Sequence, residues 1–292
     1  MKTNRLYIPI LALALAAGFT SCDDFLDREP MSTVDPEVYF TQVSQLESYA
    51  NQLYENILPS HGNWSYGIFG EDSGTDNQTG ATANNRFAEG LWKVPNKDDD
   101  NWKFEWIYRC NFFLQNVLEK YGTKEDGSEN TIMGDLASIK HYIGEIYFLR
   151  AYEYFKRYQK YGDFPIITEP LADDMEILRE SNKRMPRTEV ARFILDDLKK
   201  AYDFLSAKEM ATTRINKDAA LLLRSRVALF EGTWLKSFEG TAFVPNGEGW
   251  PGASKDYNKD YQFKSGSIDK EINYFLEQAI ADAETISEAY KN

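Results

Sequence analysis

Residues 144–155 read Gly144-Glu145-Ile146-Tyr147-Phe148-Leu149-Arg150-Ala151-Tyr152-Glu153-Tyr154-Phe155, and the stretch runs on to Tyr161-Gly162-Asp163-Phe164-Pro165. From Ile139 and Ile143 upstream, apolar residues recur through Ile146, Tyr147, Ala151, Tyr154, Phe155 and Tyr158. Spacings of three and four residues predict a helix over 135–161, the densest apolar helix of the chain. Gly162 is placed as the C′ residue that ends it. Pro165 pushes Phe164 away from helical backbone, so Phe164-Pro165-Ile166-Ile167 reads as a short extended piece. Arg150, set among aromatic side chains, is expected to pair with an acid such as Glu145 or a loop carboxylate. The stretch therefore reads as fold-specifying rather than ligand-contacting.

The same period recurs on both sides. Val43, Leu46, Ala50, Leu53 and Ile57 predict a helix over 36–58, with Asp35 as N-cap, Pro36 at the first helical position and Pro59 ending it. Trp102, Trp106, Cys110, Phe113, Leu114 and Val117 predict one over 101–120. A loop then runs from the end of the 135–161 helix to about Arg187. Further helices are expected over 188–206 with Thr188 as cap, over 217–235 with Asn216 as cap and Trp234 inward, and over 269–290 with Ala283 and Ile286 on its apolar face. No run of alternating strands is found. The expected architecture is all-α: a TPR-like helical-repeat scaffold with long irregular loops, in which 135–161 pairs with 188–206 and 217–235 pairs with 269–290. Ala151 and Phe155 match a fragment of the tetratricopeptide pattern, although its Trp-x-x-Leu-Gly-x-x-Tyr start is absent.

The N-terminus has a different logic. Lys2 and Arg5 precede an apolar run over 6–17, followed by Phe19-Thr20-Ser21-Cys22. The run is too short to span a bilayer comfortably, and the residues after it are acidic, so 1–21 reads as a signal peptide. Cys22 reads as a lipobox cysteine, cleaved after Ser21 and lipidated. Asp23-Asp24-Phe25-Leu26-Asp27 behind it resembles the export signal of surface lipoproteins in Bacteroidetes-type bacteria. Residues 22–34 would be a tether and 35–292 the helical domain. Removing 1–21 takes away Lys2 and Arg5 and leaves 31 basic against 46 acidic residues, a charge of −15. Such a balance argues against nucleic acid and against electrostatic adhesion to anionic lipid. With Cys22 lipidated, Cys110 has no disulfide partner and is expected to pack as a small apolar residue.

Residues 59–100 break the helical period with six glycines and place aromatics among polar side chains. A loop of this length is often functional. A sugar ring offers an apolar C–H face and a rim of hydroxyls, which aromatic faces and Asn, Asp, Gln or Arg complement. Trp64, Tyr66 and Trp92, with Asn84, Asn85 and Arg86, are therefore the candidate ligand-binding residues. Stapling of the loop to the helices is the competing role for Trp64 and Trp92. Trp102, Trp106 and Trp234 are expected to pack in the core, and Trp250, flanked by Gly249 and Pro251, to sit on an exposed loop. His61 and His141, far apart, have no metal-ligand spacing, and no cofactor motif occurs. The acidic groups at Glu71-Asp72-Asp76, Asp98-Asp99-Asp100 and Asp173-Asp174 read as solvated surface rather than as a catalytic pair.

Three segments in order resemble the SusD/RagB family of outer-membrane nutrient-binding lipoproteins. They are Cys22-Asp23-Asp24-Phe25-Leu26-Asp27-Arg28-Glu29-Pro30, the stretch 144–165, where the family shows FLRA, YF and YGDVP, and the run from Arg187 through Asp197-Leu198 to 219–227. The resemblance implies a non-catalytic protein on the cell outer membrane, lipid-anchored and facing the exterior. It would bind oligosaccharide and deliver it to a SusC-like TonB-dependent transporter. Family members run to nearly twice this length, so the chain is expected to hold the N-terminal portion, with the C-terminal half missing and the apolar surface that would meet it exposed. A second function class is a TPR-like protein-interaction adaptor at the outer membrane. A third is a glycoside hydrolase, which turnover would reveal.

Overall fold

The computed structural model describes residues 39–59, 89, 102–124, 126–207 and 213–291. The helices among them are α1 (Val43–Ile57), α2 (Glu105–Tyr121), α3 (Leu136–Tyr161), α4 (Met175–Ser181), α5 (Arg187–Phe204), α6 (Lys217–Ser237) and α7 (Ile268–Ala289), with a 3₁₀ turn at Pro251–Ser254. Extended pairing among the described residues is limited to two isolated bridges, Gln42 with Met133 and Phe164 with Met185. The all-α, serial-pair architecture holds. The two most extensive helix contacts are α3 on α5 and α6 on α7, the pairs that periodicity predicts, and α5 on α6 joins them.

Helix α3 organises the scaffold. Every residue over 141–151 is buried, because α1, α2 and α5 all pack on it. Its caps follow the sequence: Asp135 accepts from Ser138 N, and Gly162 leaves the helix at φ +66°, a conformation glycine adopts at little cost. Cys110 on α2 is a buried free thiol, and burial pushes its pKa up.

Arg–carboxylate pairs cross the helix contacts. Arg150 on α3 holds Asp197 on α5 by two bonds of 2.7 and 2.8 Å. Arg187 on α5 reaches Glu231 on α6 at 2.8 Å, and Arg192 on α5 reaches Glu271 on α7 at 2.6 Å. Arg224 on α6 pairs with Asp282 on α7. Arg214, just before α6, holds Glu145 on α3 at 2.8 and 2.6 Å. A buried pair adds little net stability, but removing one partner costs about 3–5 kcal/mol. A helix seated beside the wrong neighbour would carry that penalty, so the pairs specify which helix packs where.

Several boundaries differ from the sequence reading. Helix α1 starts at Val43 rather than 36, and Asp35 and Pro36 lie outside the described residues. Before it, Phe40 adopts φ +61°, fully buried and edge-on to Tyr49 and Phe113, each 5.3 Å away. Backbone bonds from Val43 N to Met133 O (2.9 Å) and from Met133 N to Thr41 O (2.8 Å) fix this entry. Thr188 does not cap α5. It is buried in the first turn and shares a hydrogen bond with the Tyr261 hydroxyl. The cap comes from a distance instead: Arg187 N donates to Asp163 Oδ1 at 2.8 Å. Asn216 and Ser267 cap α6 and α7 through their side chains. Ala283 is exposed, because α7 packs mainly through Ile272, Phe275 and Ala279. Leu222 and Leu229 on α6 and Ile280 on α7 are exposed apolar residues of the last helix pair.

Trp250 is also a correction. Its Gly and Pro neighbours suggest an exposed loop, yet the ring is 4% exposed. Its Nε1 donates to Asp163 Oδ2 at 2.8 Å. Asp163 thus ties the end of α3 to the start of α5 and to the 3₁₀ turn. Its burial nevertheless leaves its pKa raised above the ordinary aspartate value.

Candidate functional site

The segment 102–108, where α2 begins, stands between two hollows. Trp102, Phe104 and Tyr108 line one of about 330 Å³, together with Ile167, Glu169 and Asn182. Lys103, Glu105 and Trp106 line the other, of about 270 Å³.

The first hollow is walled by rings. Trp102 lies edge-on to Phe104, Tyr161 and Phe164, with centroids 5.8, 5.1 and 4.9 Å away. Phe104 stacks on Phe164 at 5.2 Å. The Arg184 guanidinium sits 4.5 Å from the centroid of the Trp102 ring, a cation–π contact. Tyr108 is 46% exposed and stacks on Phe112.

The backbone strip opposite the rings is held by the α3 stretch. Tyr154 OH donates to Ile167 O (3.0 Å) and accepts from Ile167 N (2.8 Å). Asn111 Nδ2 donates to Ile167 O at 2.9 Å and to Glu169 O at 3.3 Å. Arg150 in turn donates to Asn111 Oδ1 at 2.8 Å while bound to Asp197. Arg150 is therefore a positioning residue for the wall of the hollow. Its acid is Asp197 from the next helix and not Glu145, which is taken by Arg214, His141 and Tyr54. Desolvation lowers the Arg150 pKa, but the Asp197 charge and hydrogen bonds, with smaller contributions from Cys110 and Tyr154, together outweigh it and the net shift is upward.

Other chemistry is limited among the described residues. No group of three His, Cys, Asp or Glu side chains there is arranged to hold a metal ion. His141 is buried and accepts at Nδ1 from Ser206 N (3.1 Å). Its Nε2 lies 3.0 Å from Glu145, so donor and acceptor roles are assigned to structural partners. Asp174 caps α4 by accepting from Glu176 N and Ile177 N. Cys22 and the candidates Trp64, Tyr66, Trp92, Asn84, Asn85 and Arg86 lie outside the described residues, as do His61 and the acidic groups at 71–76 and 98–100. Trp102 corrects its expected place in a helical stripe: it precedes α2, half-buried, and lines the hollow. Trp106 and Trp234 correct the expected core packing as well: both are half-buried, Trp106 lining the second hollow and Trp234 meeting the Arg187 guanidinium 4.2 Å from its ring centroid.

Serial helix pairs carrying a ring-walled recess define a helical-repeat scaffold. Residues 24–229 match the SusD-like family, described as starch-binding and associating with the outer membrane, and the chain belongs to that family. SusD-like protein P25 of Formosa agariphila is 26% identical over 234 residues, which are 73% of this chain and 41% of that protein. SusD-like protein P2 of the same organism is 25% identical over 258 residues, covering 85% and 47%. The chain thus spans less than half the length of the curated relatives it matches. A solved SusD homolog from Bacteroides thetaiotaomicron shares the fold, with a TM-score of 0.52 and 22% identity, covering 88% of this chain and 42% of that one.

Proposed function

We propose that this chain captures oligosaccharide nutrients without transforming them, at the cell outer membrane. It would be held there through lipid on Cys22, facing the exterior, and would pass its cargo to a SusC-like TonB-dependent transporter. Family membership supports the carbohydrate class and the outer membrane. The observation that carries the reading is the first hollow. Trp102, Phe104 and Tyr108 offer apolar faces to a sugar's C–H groups, and Glu169 and Asn182 offer polar groups to its hydroxyls. Passage to a transporter requires closure to be favoured only when ligand is shared between the two proteins.

The test is titration calorimetry of the chain from residue 22 onward against a panel of oligosaccharides. For the glycan that binds, Tyr108→Ala is expected to weaken affinity about 2- to 13-fold, since a ring contact contributes about 0.5–1.5 kcal/mol beyond its area. Trp92→Ala is expected to weaken it too while leaving thermal unfolding in place. Binding unmoved by both variants would return these rings to structural roles. Reducing-end release by the purified chain would overturn the non-catalytic reading.

The adaptor reading retains one observation of its own. Helix α4 buries none of its residues and exposes Met175, Ile177 and Leu178 at 71%, 42% and 41%. Glycan-independent binding of a defined protein, abolished by Met175→Asp, a position outside the first hollow, would favour it.

A further inference from the structure

The first hollow holds more aliphatic surface than contact with sugar rings requires. Besides its aromatic rings it is lined by Ile107 of α2, Ile167 and Leu171 of the strip that follows α3, and Leu178 of α4. Ile107 is 1% exposed, whereas Leu178 is 41% exposed and Leu171 is half-buried. The Leu171 and Leu178 part of the wall therefore still has apolar surface to cover.

The rings are partly occupied. Phe104 stacks one face on Phe164, Tyr108 stacks one on Phe112, and the Arg184 guanidinium lies over Trp102. The strip's backbone is occupied too. Ile167 O accepts from Tyr154 OH and from Asn111 Nδ2, which fills its two lone pairs, and Ile167 N donates to Tyr154 OH. Ile167 thus offers the hollow its side chain alone. Among the described residues, the polar side-chain groups of the lining are the Glu169 carboxylate, the Asn182 amide, the Tyr108 hydroxyl and the Trp102 indole N–H.

This divides the hollow by chemistry. A hydroxyl set against Glu169 or Asn182 finds a partner. A hydroxyl set against Leu171 or Leu178 finds none, and burying it unpaired is unfavourable. A methyl group in the same place covers apolar surface instead. A 6-deoxy sugar ends in such a methyl where an ordinary hexose ends in a hydroxymethyl, and an N-acetyl sugar carries one on its amide.

We propose that the first hollow selects sugars bearing a methyl group, with the methyl against Leu171 and Leu178 and the hydroxyls toward Glu169 and Asn182. The selectivity rests on the glycan reading and narrows it to a substrate class. It points away from the glucose units of starch, which have a hydroxymethyl and no methyl. An apolar pocket distinguishes one methylene by about 10- to 200-fold and disfavours an added hydroxyl by about 100-fold. This hollow leaves Tyr108 46% exposed, so a ratio near the low end, about 10-fold, is expected.

The experiment uses the chain from residue 22 onward and two pairs of free sugars, titrated by ligand-observed NMR. L-fucose is compared with L-galactose, from which it differs only by lacking the hydroxyl on C6. N-acetyl-D-glucosamine is compared with D-glucose. In at least one pair the methyl-bearing sugar is expected to bind about 10-fold more tightly, with saturation transferred from the protein most strongly to its methyl protons. The pair that shows the preference tells a deoxy methyl from an acetyl one. Leu178→Ser lies on α4, which buries none of its residues, so its Tm should stay in place while the ratio falls at least threefold. Leu171→Ser, on the other element of the wall, is expected to lower the ratio likewise. Equal affinities within both pairs, saturation strongest away from the methyl, or a preference that neither variant moves would overturn the methyl selectivity. So would a chain that binds members of the oligosaccharide panel but neither methyl-bearing sugar, and the glycan reading would then stand without it. No binding by any sugar, single or oligomeric, overturns both.

Discussion

Gly144 explains why the deciding stretch opens on a residue without a side chain. A Cβ there would lie 2.9 Å from both Leu205 Cγ and Leu205 N, and 3.1 Å from Ala201 O. Two of those neighbours are backbone at the end of α5 and cannot swing away, so Gly144→Ala is expected to destabilise by about 1–3 kcal/mol in urea unfolding. An unchanged midpoint would mean that α5 moves aside freely. Glu271 sets part of the acid sensitivity. Desolvation pushes its carboxyl up, but hydrogen bonds from Arg192 and Ser265 outweigh that and hold its pKa below the ordinary 4.5. A carboxylate depressed on folding contributes stability that is full above 4.5 and is lost as pH falls through the lowered value. The Tm of Glu271→Gln should therefore be lower at pH 7 and should decline less than that of wild type below about pH 4.5. Parallel Tm–pH curves would sink this assignment. The residue scale is the least legible in sequence. That Arg150 needs an acid follows from its aromatic surroundings, but Asp197 lies 47 positions away, and helical spacing offers no link between them. Trp250 misleads for the same reason: its hydrogen-bond partner, Asp163, is 87 positions away.

Helices buried on one face or all round are legible in sequence, because their apolar spacing is the imprint of the core they pack against. Helix α4 leaves no such imprint. It buries nothing, and its only start signal, Asp174, is shared with ordinary turns. Its stability should differ accordingly. By hydrogen exchange, α4 amides are expected to open at least about 100-fold more readily than those of α3, whose central residues should open only with global unfolding. Equal protection would show that α4 is covered in solution. The start of α5 illustrates the other failure. Thr188 is a good cap by residue type, but the Asp163 carboxylate at the end of α3 reaches Arg187 N instead, and the threonine is left to join Tyr261. Of the site, sequence singles out the aromatic loop 59–100, whereas the described ring-walled hollow begins at Trp102. Trp102 continues the apolar spacing of α2, which disguises a residue lying just outside the helix.

At the scale of the molecule, five Arg–carboxylate pairs and two large helix contacts define the scaffold on which both hollows are set. The attachment proposed at Cys22 has its own test. Expressed in an outer-membrane-bearing host, Cys22→Ser should move from the membrane to the soluble fraction, and persistence in the membrane would remove the lipid anchor from the reading. The way the chain enters α1 then acquires a mechanical meaning. Phe40 is plugged among Tyr49, Phe112 and Phe113, and the backbone beside it runs parallel to Met133, bonded in both directions. A pull on the chain from the N-terminal side of Phe40 would load those two bonds together, in shear, and would have to extract a fully enclosed ring before any turn of α1 unwound. Tension from the anchor proposed at Cys22 would then stop at this clasp, upstream of the walls that shape the two hollows.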